Sequence, residues 1–168
     1  MIVSFKMKNI ILLLFLSLLS RTTMSQTYVS IATSLANTPG TIGQKSNIAV
    51  EAGKQWDVFS LGLDLGLSAL TKADTCTYLE IRPNLNVFQV GKFTNTLTPG
   101  IGYIFNAKEN LLTELTYGIE YTASPQIHLN IVFGQYYYSG VSSASTETFF
   151  GISLMYYFKP NKSISLIK

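Results

Sequence analysis

Six charged residues recur at alternate positions within apolar runs of the chain. They are Glu51, Asp64, Glu80, Arg82, Glu114 and Glu120. Because an unpaired buried charge is costly, carboxylates enclosed with one guanidinium are expected to pair with it. We therefore predict that Arg82 bridges to carboxylates on neighbouring strands, in a hydrogen-bonded plug completed by Tyr78, Asn84, Asn86 and Asn130. Because the five acids outnumber the single arginine, the same residues could instead form a path for protons or ions through the barrel. That alternative stays open.

Residues that commonly perform catalysis or bind metals are scarce. His128 is the only histidine and Cys76 the only cysteine among 168 residues. Ordinary metal sites need several His, Cys or carboxylate ligands, and a lone cysteine forms no internal disulfide. No glycine-rich loop precedes a helix, so a phosphate-binding motif is not indicated. The sequence predicts a protein that is not an enzyme and has no cofactor or metal.

The charged residues lie in strands with two different faces. From Val58 to Leu70, leucines at alternate positions are separated by Ser, Gly and Asp. A period of two over this length indicates a β-strand between two environments. The same alternation predicts eight strands, over about residues 27–36, 46–54, 58–70, 77–88, 93–105, 111–121, 127–134 and 150–158.

The connections predict how these strands pair. They are short and rich in turn residues, so consecutive strands form antiparallel hairpins in an up-and-down meander. An even number of strands places both ends on one side, and the longer loops, after the first and seventh strands, on the other. Pro83 and Pro99 interrupt two strands, and we expect a bulge or bend at both.

Three residue types indicate that the apolar face is outside, against lipid. No lysine of the barrel region lies mid-strand, where lipid exposure would be costly. Glycines fall on the polar face, where a narrow lumen needs room. Aromatic residues cluster near strand ends, as in the girdles of membrane barrels. The predicted girdle comprises Trp56, Phe59, Phe88, Phe93, Tyr103, Phe105, Tyr121, Tyr137, Tyr156 and Phe158.

The N-terminal segment reads as a signal peptide. Lys6 and Lys8 precede an apolar stretch over residues 10–19, and small residues follow before Gln26. This predicts a cleaved signal peptide over residues 1–25, a barrel over 26–158 and a short periplasmic tail over 159–168. Without the basic signal segment the chain is close to neutral, so a nucleic-acid partner is not expected.

The last strand carries the pattern Gly151, Leu154, Tyr156 and Phe158, and Pro83 and Pro99 each begin a run that ends in Phe before a turn. In these features the chain resembles the small porin-like, OmpA/OmpX-type outer-membrane β-barrel proteins common in Bacteroidota. The resemblance implies the outer membrane of a Gram-negative bacterium, contact with outer-membrane lipid, and recognition of the last strand by the barrel assembly machinery. It carries over no catalytic residue.

Three functions remain open from the sequence. The first is an integral outer-membrane barrel with a polar, side-chain-filled lumen and a structural or surface-interaction role. The second is a narrow channel or porin for small solutes. The third is a soluble periplasmic barrel that binds lipid, in which the apolar face would line the interior. Eight strands leave an interior filled by side chains, which favours the first.

Overall fold

The protein is a closed barrel of eight antiparallel strands. The structure, a computed structural model, describes residues 25–37, 44–70, 75–105, 107, 109–141 and 144–158. The strands are β1 (Gln26–Asn37), β2 (Gln44–Trp56), β3 (Phe59–Leu70), β4 (Thr75–Val90), β5 (Phe93–Ile104), β6 (Leu111–Thr122), β7 (Ile127–Ser139) and β8 (Ala144–Tyr157). Nearly all of the predicted signal peptide, and all of the predicted tail, lie outside the described residues.

The strands follow chain order and the wall closes by pairing β1 with β8. Following the register once around the wall leads from Gln26 to Ala36 on the same strand, a stagger of ten residues. For eight strands this stagger corresponds to a tilt of about 40° from the barrel axis. The predicted up-and-down meander is therefore confirmed. No helix in the described residues is long and apolar enough to cross a membrane.

The apolar face of every strand points outward. Leu61, Leu63 and Leu65 are 41%, 50% and 54% exposed on the outer surface of β3. Polar residues and glycines occupy the alternate, inward positions, as the sequence predicted. This arrangement is the opposite of a soluble lipid-binding barrel, whose apolar side chains would line the interior.

The two ends of the barrel differ. Gln26 and Phe158 lie together at one end, the terminal end, where the Phe158 amide donates a hydrogen bond to the Thr27 carbonyl (3.0 Å). The two-residue turns 57–58 and 91–92 and the turn 123–126 are also at this end. The remaining connections form the opposite, loop end. The two-residue turns at the terminal end contain Asp57 and Gly91, whose φ angles (51° and 61°) are the only positive ones among the described residues.

The sequence predicted one of the longer loops after the seventh strand, and this prediction is wrong. β7 continues to Ser139 and β8 begins at Ala144, so the connection is only residues 140–143. The β5–β6 connection, residues 105–110, is longer. The extensions of β7 and β8 carry Gln135, Thr146 and Thr148 outward, so they lack the apolar alternation by which a strand is recognised.

The sequence predicted a bulge or bend at each proline, and neither proline forms a bulge. The only register shift between β4 and β5 lies between Asn86 and Phe88. A bulge reverses the side of the following residue, and Phe88, which strict alternation would turn inward, is exposed on the outer surface. At Pro83 and Pro99 the register is unchanged, but the pairing between the two strands lapses.

Candidate functional site: the barrel lumen

Arg82 lies at the centre of the lumen and holds two carboxylates. Its Nη1 is 2.8 Å from Glu51 Oε2, and its Nη2 is 2.7 Å from Glu114 Oε1. The predicted bridging is thus observed, but the expectation of neighbouring strands is wrong. Arg82 is on β4, whereas its partners are on β2 and β6, each one strand further away.

Two glycines make this reach possible. Gly62 faces Arg82 on β3, and Gly100 faces Glu114 on β6. A β-carbon at Gly62 would overlap the Glu51 side chain, and one at Gly100 would overlap the carboxylate of Glu80. The intervening strands β3 and β5 therefore present bare backbone, over which long side chains from their neighbours meet.

Glu51 and Glu114 have further donors. The Tyr28 hydroxyl donates a hydrogen bond to Glu51 Oε1, and the Thr116 hydroxyl donates to Glu114 Oε1 (2.7 Å). Charge-assisted bonds of this kind offset the cost of enclosing a carboxylate. These two acids and Arg82 therefore form an ion-pair network, in which Arg82 Nε has no hydrogen-bond partner among the described residues.

Three carboxylates lie side by side across this layer. The register pairs Glu51 with Asp64 and Asp64 with Glu80, on β2, β3 and β4. Asp64 is 3% exposed and Glu80 only 1%. Within the described part of the chain, no ion pair reaches either of these two acids. The charged layer, defined here as Glu51, Asp64, Glu80, Arg82 and Glu114, therefore has a formal excess of negative charge.

Glu120, predicted to belong to the same network, lies in a separate pair near the terminal end. Its Oε1 is 2.6 Å from Nδ1 of the buried His128. Beside this pair, the Tyr157 hydroxyl donates to Gln55 Oε1 (2.7 Å), and the Tyr157 and Tyr28 rings are 5.7 Å apart. Tyr157 is 0% exposed, so these side chains close the terminal end of the lumen.

On the other side of the charged layer the lumen is filled by apolar and aromatic side chains. Tyr136 stacks on Phe149 with ring centroids 4.1 Å apart and planes 17° from parallel. We call this buried cluster the aromatic plug; it comprises Ala36, Ala49, Tyr78, Ile104, Leu112, Tyr136 and Phe149. Tyr78, predicted as part of the polar network, packs here over Gly66, and its hydroxyl also hydrogen-bonds to the Asp64 carboxylate.

Beyond the plug, an ion pair that the sequence reasoning missed covers the loop end. Lys45 on β2 pairs with the buried Glu147 on β8, reaching past β1. The Tyr138 hydroxyl donates to Glu147 Oε2 (3.0 Å). Glu147 was missed because it was assigned to no strand, and Lys45 because it was placed in a turn. Counting back along the sequence from Gly151 in steps of two residues would have placed Glu147 on the lumen side.

The predicted asparagines are only partly in the network. Asn84 accepts a hydrogen bond from the Thr98 hydroxyl (2.8 Å). Asn86 instead donates to the backbone carbonyl of Asp57 at the terminal end (3.3 Å). Asn130 lies against Gly118 in the wall.

The space left in the lumen is small. A cavity of about 60 Å³ lies beside the charged layer and is lined by Arg82, Asp64, Asn84, Thr98 and Asn130, among others. It has room for a few water molecules. Asp64 Oδ1 and Asn130 Oδ1 are buried acceptors without a protein donor in the described residues. The arrangement can hold water and ion pairs, and no cluster of metal-ligating side chains occurs among the described residues.

The predicted girdle residues lie at both rims of the wall. Most are at the terminal end, where Trp56 stacks on Phe59, Phe93 contacts Tyr121, and Tyr156 contacts Phe158. Phe88 lies with them. Tyr103, Phe105 and Tyr137 lie towards the loop end.

The residues of the predicted assembly pattern all lie on or just after β8. Leu154, Tyr156 and Phe158 are exposed on the outer surface, and Gly151 faces the lumen.

The comparisons with solved structures concern the fold. The chain is similar to Neisserial surface protein A, with 9% identity, a TM-score of 0.58, and coverage of 79% of this chain and 96% of that one. It is similar to the de novo designed barrel TMB2.3 at 15% identity and a TM-score of 0.53, covering 80% and 97% of the two chains. A second design, of a transmembrane β-barrel, gives 13% identity and a TM-score of 0.52, covering 77% and 94%.

No family model matches the chain, and no curated protein matches it in sequence. At these identities the similarity concerns architecture alone. The fold is that of the eight-stranded outer-membrane β-barrels.

Proposed function

We propose that this protein is an integral outer-membrane barrel with a closed lumen, and that its role is structural or surface-interacting rather than enzymatic or transporting. The observation that carries the proposal is the filled interior. Between the charged layer and the loop end lie the stacked Tyr136 and Phe149, and beyond them the Lys45–Glu147 pair. Ions crossing the barrel would have to pass this packed layer of side chains.

The outer surface supports a membrane location. Leucine, isoleucine, valine and phenylalanine side chains cover the middle of the wall, and their exposure to water would be unfavourable. Aromatic side chains at both rims fit the headgroup regions of a bilayer. We infer that outer-membrane lipid is the partner of this surface, and that the terminal end, with its shorter turns, faces the periplasm.

The last strand supports assembly by the usual machinery of outer-membrane barrels. Leu154 and Tyr156 point outward on β8, and Phe158 follows at the rim. We propose that these residues, with Gly151, form the signal read by the barrel assembly machinery. The predicted signal peptide over residues 1–25 would deliver the chain to it.

Two measurements test the proposal. Cells expressing the full chain are fractionated, and the outer-membrane fraction is analysed on gels with and without boiling; a folded barrel migrates differently from its unfolded form. Purified protein is then inserted into planar lipid bilayers at high salt. We expect heat-modifiable protein in the outer membrane and no stable conductance steps.

A narrow channel is the second candidate, and the water-sized cavity beside Asp64 and Arg82 favours it. Steady single-channel steps from the wild-type protein would replace the closed-lumen proposal with this one. Recovery of the protein in the soluble periplasmic fraction would contradict both.

A further inference from the structure

Pro83 on β4 and Pro99 on β5 face each other across the wall. The register pairs Ile81 with Ile101 and Leu85 with Leu97, which places the two prolines opposite one another between these pairs. No pairing is formed over residues 82–84 and 98–100 between β4 and β5. On their other sides, Pro83 pairs with Leu61 and Pro99 with Leu115, without interruption. We call this break the proline seam.

The chemistry of proline explains the break. In an antiparallel ladder, alternate facing residues exchange two hydrogen bonds, each donating its N–H to the other's carbonyl. Proline has no N–H, so two facing prolines remove both bonds and leave both carbonyls without their ladder donors. A single proline at this pair would have removed only one of the two hydrogen bonds.

Side chains hold the seam on the lumen side. The Thr98 hydroxyl donates to Asn84 Oδ1 directly across it (2.8 Å), one residue from each proline. Arg82, also adjacent, reaches over the same gap to Glu114. Asn84, Thr98 and Arg82 all line the water-sized cavity, so the cavity adjoins the seam.

On the outer side, the seam lies in the lipid-facing surface. Ile81, Leu85 and Ile101, which border it, are exposed apolar side chains. Hydrocarbon offers no hydrogen-bond donor to a bare carbonyl, and an unsatisfied backbone group in lipid is costly. The nearest space that can hold a donor is the lumen cavity.

We propose that water from the lumen cavity occupies the proline seam and donates hydrogen bonds to the carbonyls of Pro83 and Pro99. The seam is then a hydrated break in the middle of the wall, and β4 and β5 separate there more readily than any other described pair of adjacent strands. This inference rests on the membrane-embedded wall and not on the role of the lumen.

Amide hydrogen exchange followed by NMR of the full-length mature barrel in micelles tests the proposal. We expect the amides of Ile81, Leu85, Leu97 and Ile101 to exchange at least about tenfold faster than those of the intact β7–β8 ladder, such as Asn130 and Val132. Cross-peaks from these seam amides to water are expected as well. Equal exchange in the two ladders would overturn the proposal.

Two variants connect the effect to the prolines. The double variant Pro83→Thr, Pro99→Thr restores both N–H donors, and should slow seam exchange to the rate of the β7–β8 ladder. A disulfide between N84C and T98C, in a Cys76→Ser background, should slow it without restoring donors. The matched control disulfide, N130C with S153C, joins facing residues of an intact ladder and should leave the seam unchanged.

The outcomes separate this inference from the proposed function. Seam exchange that stays fast with the N84C–T98C disulfide formed would overturn the hydrated seam and leave the closed lumen intact. Conductance through the wild-type barrel would overturn the closed lumen and leave the seam intact.

Discussion

Arg82 and Glu114 form an ion pair of 2.7 Å although a whole strand, β5, separates them. The pair forms because Gly100 leaves the lumen side of β5 bare. Long-range pairs of this kind tie together strands that share no backbone hydrogen bonds. They should therefore contribute to the stability of the closed barrel as a whole.

Loss of the Arg82 charge should destabilise the barrel strongly. Arg82→Met leaves Glu51 and Glu114 enclosed without their cation, and breaking a buried pair typically costs about 3–5 kcal/mol. Urea unfolding of the refolded protein in lipid vesicles measures the free energy of unfolding. Lys92→Met, in the exposed turn 91–92, is the control and should change it little. Equal unfolding midpoints for the two variants would refute the role given to Arg82.

A side chain at Gly62 should be poorly tolerated. Gly62→Val would overlap Glu51 and displace it from Arg82, and overpacking of this kind costs about 1–3 kcal/mol. Ala52→Val is the matched control, because Ala52 is exposed on the outer surface of the adjacent strand β2. The measurement is again urea unfolding in vesicles. A Gly62→Val barrel as stable as the control would show that the glycine is not needed for space.

Removal of the aromatic plug should open the lumen. The double variant Tyr136→Ala, Phe149→Ala deletes two stacked rings, and each such truncation costs about 3–5 kcal/mol where the cavity stays open. We expect conductance steps in planar bilayers that the wild-type protein lacks.

Phe133→Ala with Phe150→Ala is the control for the plug variant. These rings also stack, 6.3 Å apart, but on the outer surface. This variant should remain silent in planar bilayers. Silence of the plug variant, once its folding is verified by gel migration, would mean that another layer closes the lumen.

A charged residue on the outer surface of the wall should reduce the free energy of unfolding most when it lies at mid-strand. Leu65→Arg places a guanidinium in the centre of the lipid-facing surface of β3, which costs about 2–4 kcal/mol, whereas a charge near an interface costs about 0–1 kcal/mol. Val58→Arg, in the two-residue turn 57–58, is the matched control. Similar losses in vesicle unfolding experiments would contradict the membrane placement of the wall.

The barrel could be predicted because period-two alternation is a local property of the sequence. The inward positions of Glu51, Asp64, Glu80, Arg82 and Glu114 followed from it directly. The partners of Arg82 did not, because they depend on the register of five strands and on which positions lack a β-carbon. The outward position of Phe88 depends on a bulge, which alternation alone cannot reveal.

The strand extensions towards the loop end were missed for a different reason. Beyond the apolar part of the wall, the outward positions of β7 and β8 include Gln135, Thr146 and Thr148, so the alternation of apolar and polar residues no longer marks the strands. The same omission left Glu147 and its ion pair with Lys45 out of the prediction. The facing prolines were visible in the sequence, but their opposition appears only once β4 and β5 are aligned.

The pairing of β1 with β8 also constrains how the chain is made. Until the last strand is synthesised, both β1 and the growing end of the sheet expose unpaired backbone, which invites aggregation. Closure therefore cannot begin before translation of the barrel is complete. The edges of β1 and β8 pair with each other only in the closed barrel, so the last gain in stability arrives in one step, when β8 reaches β1.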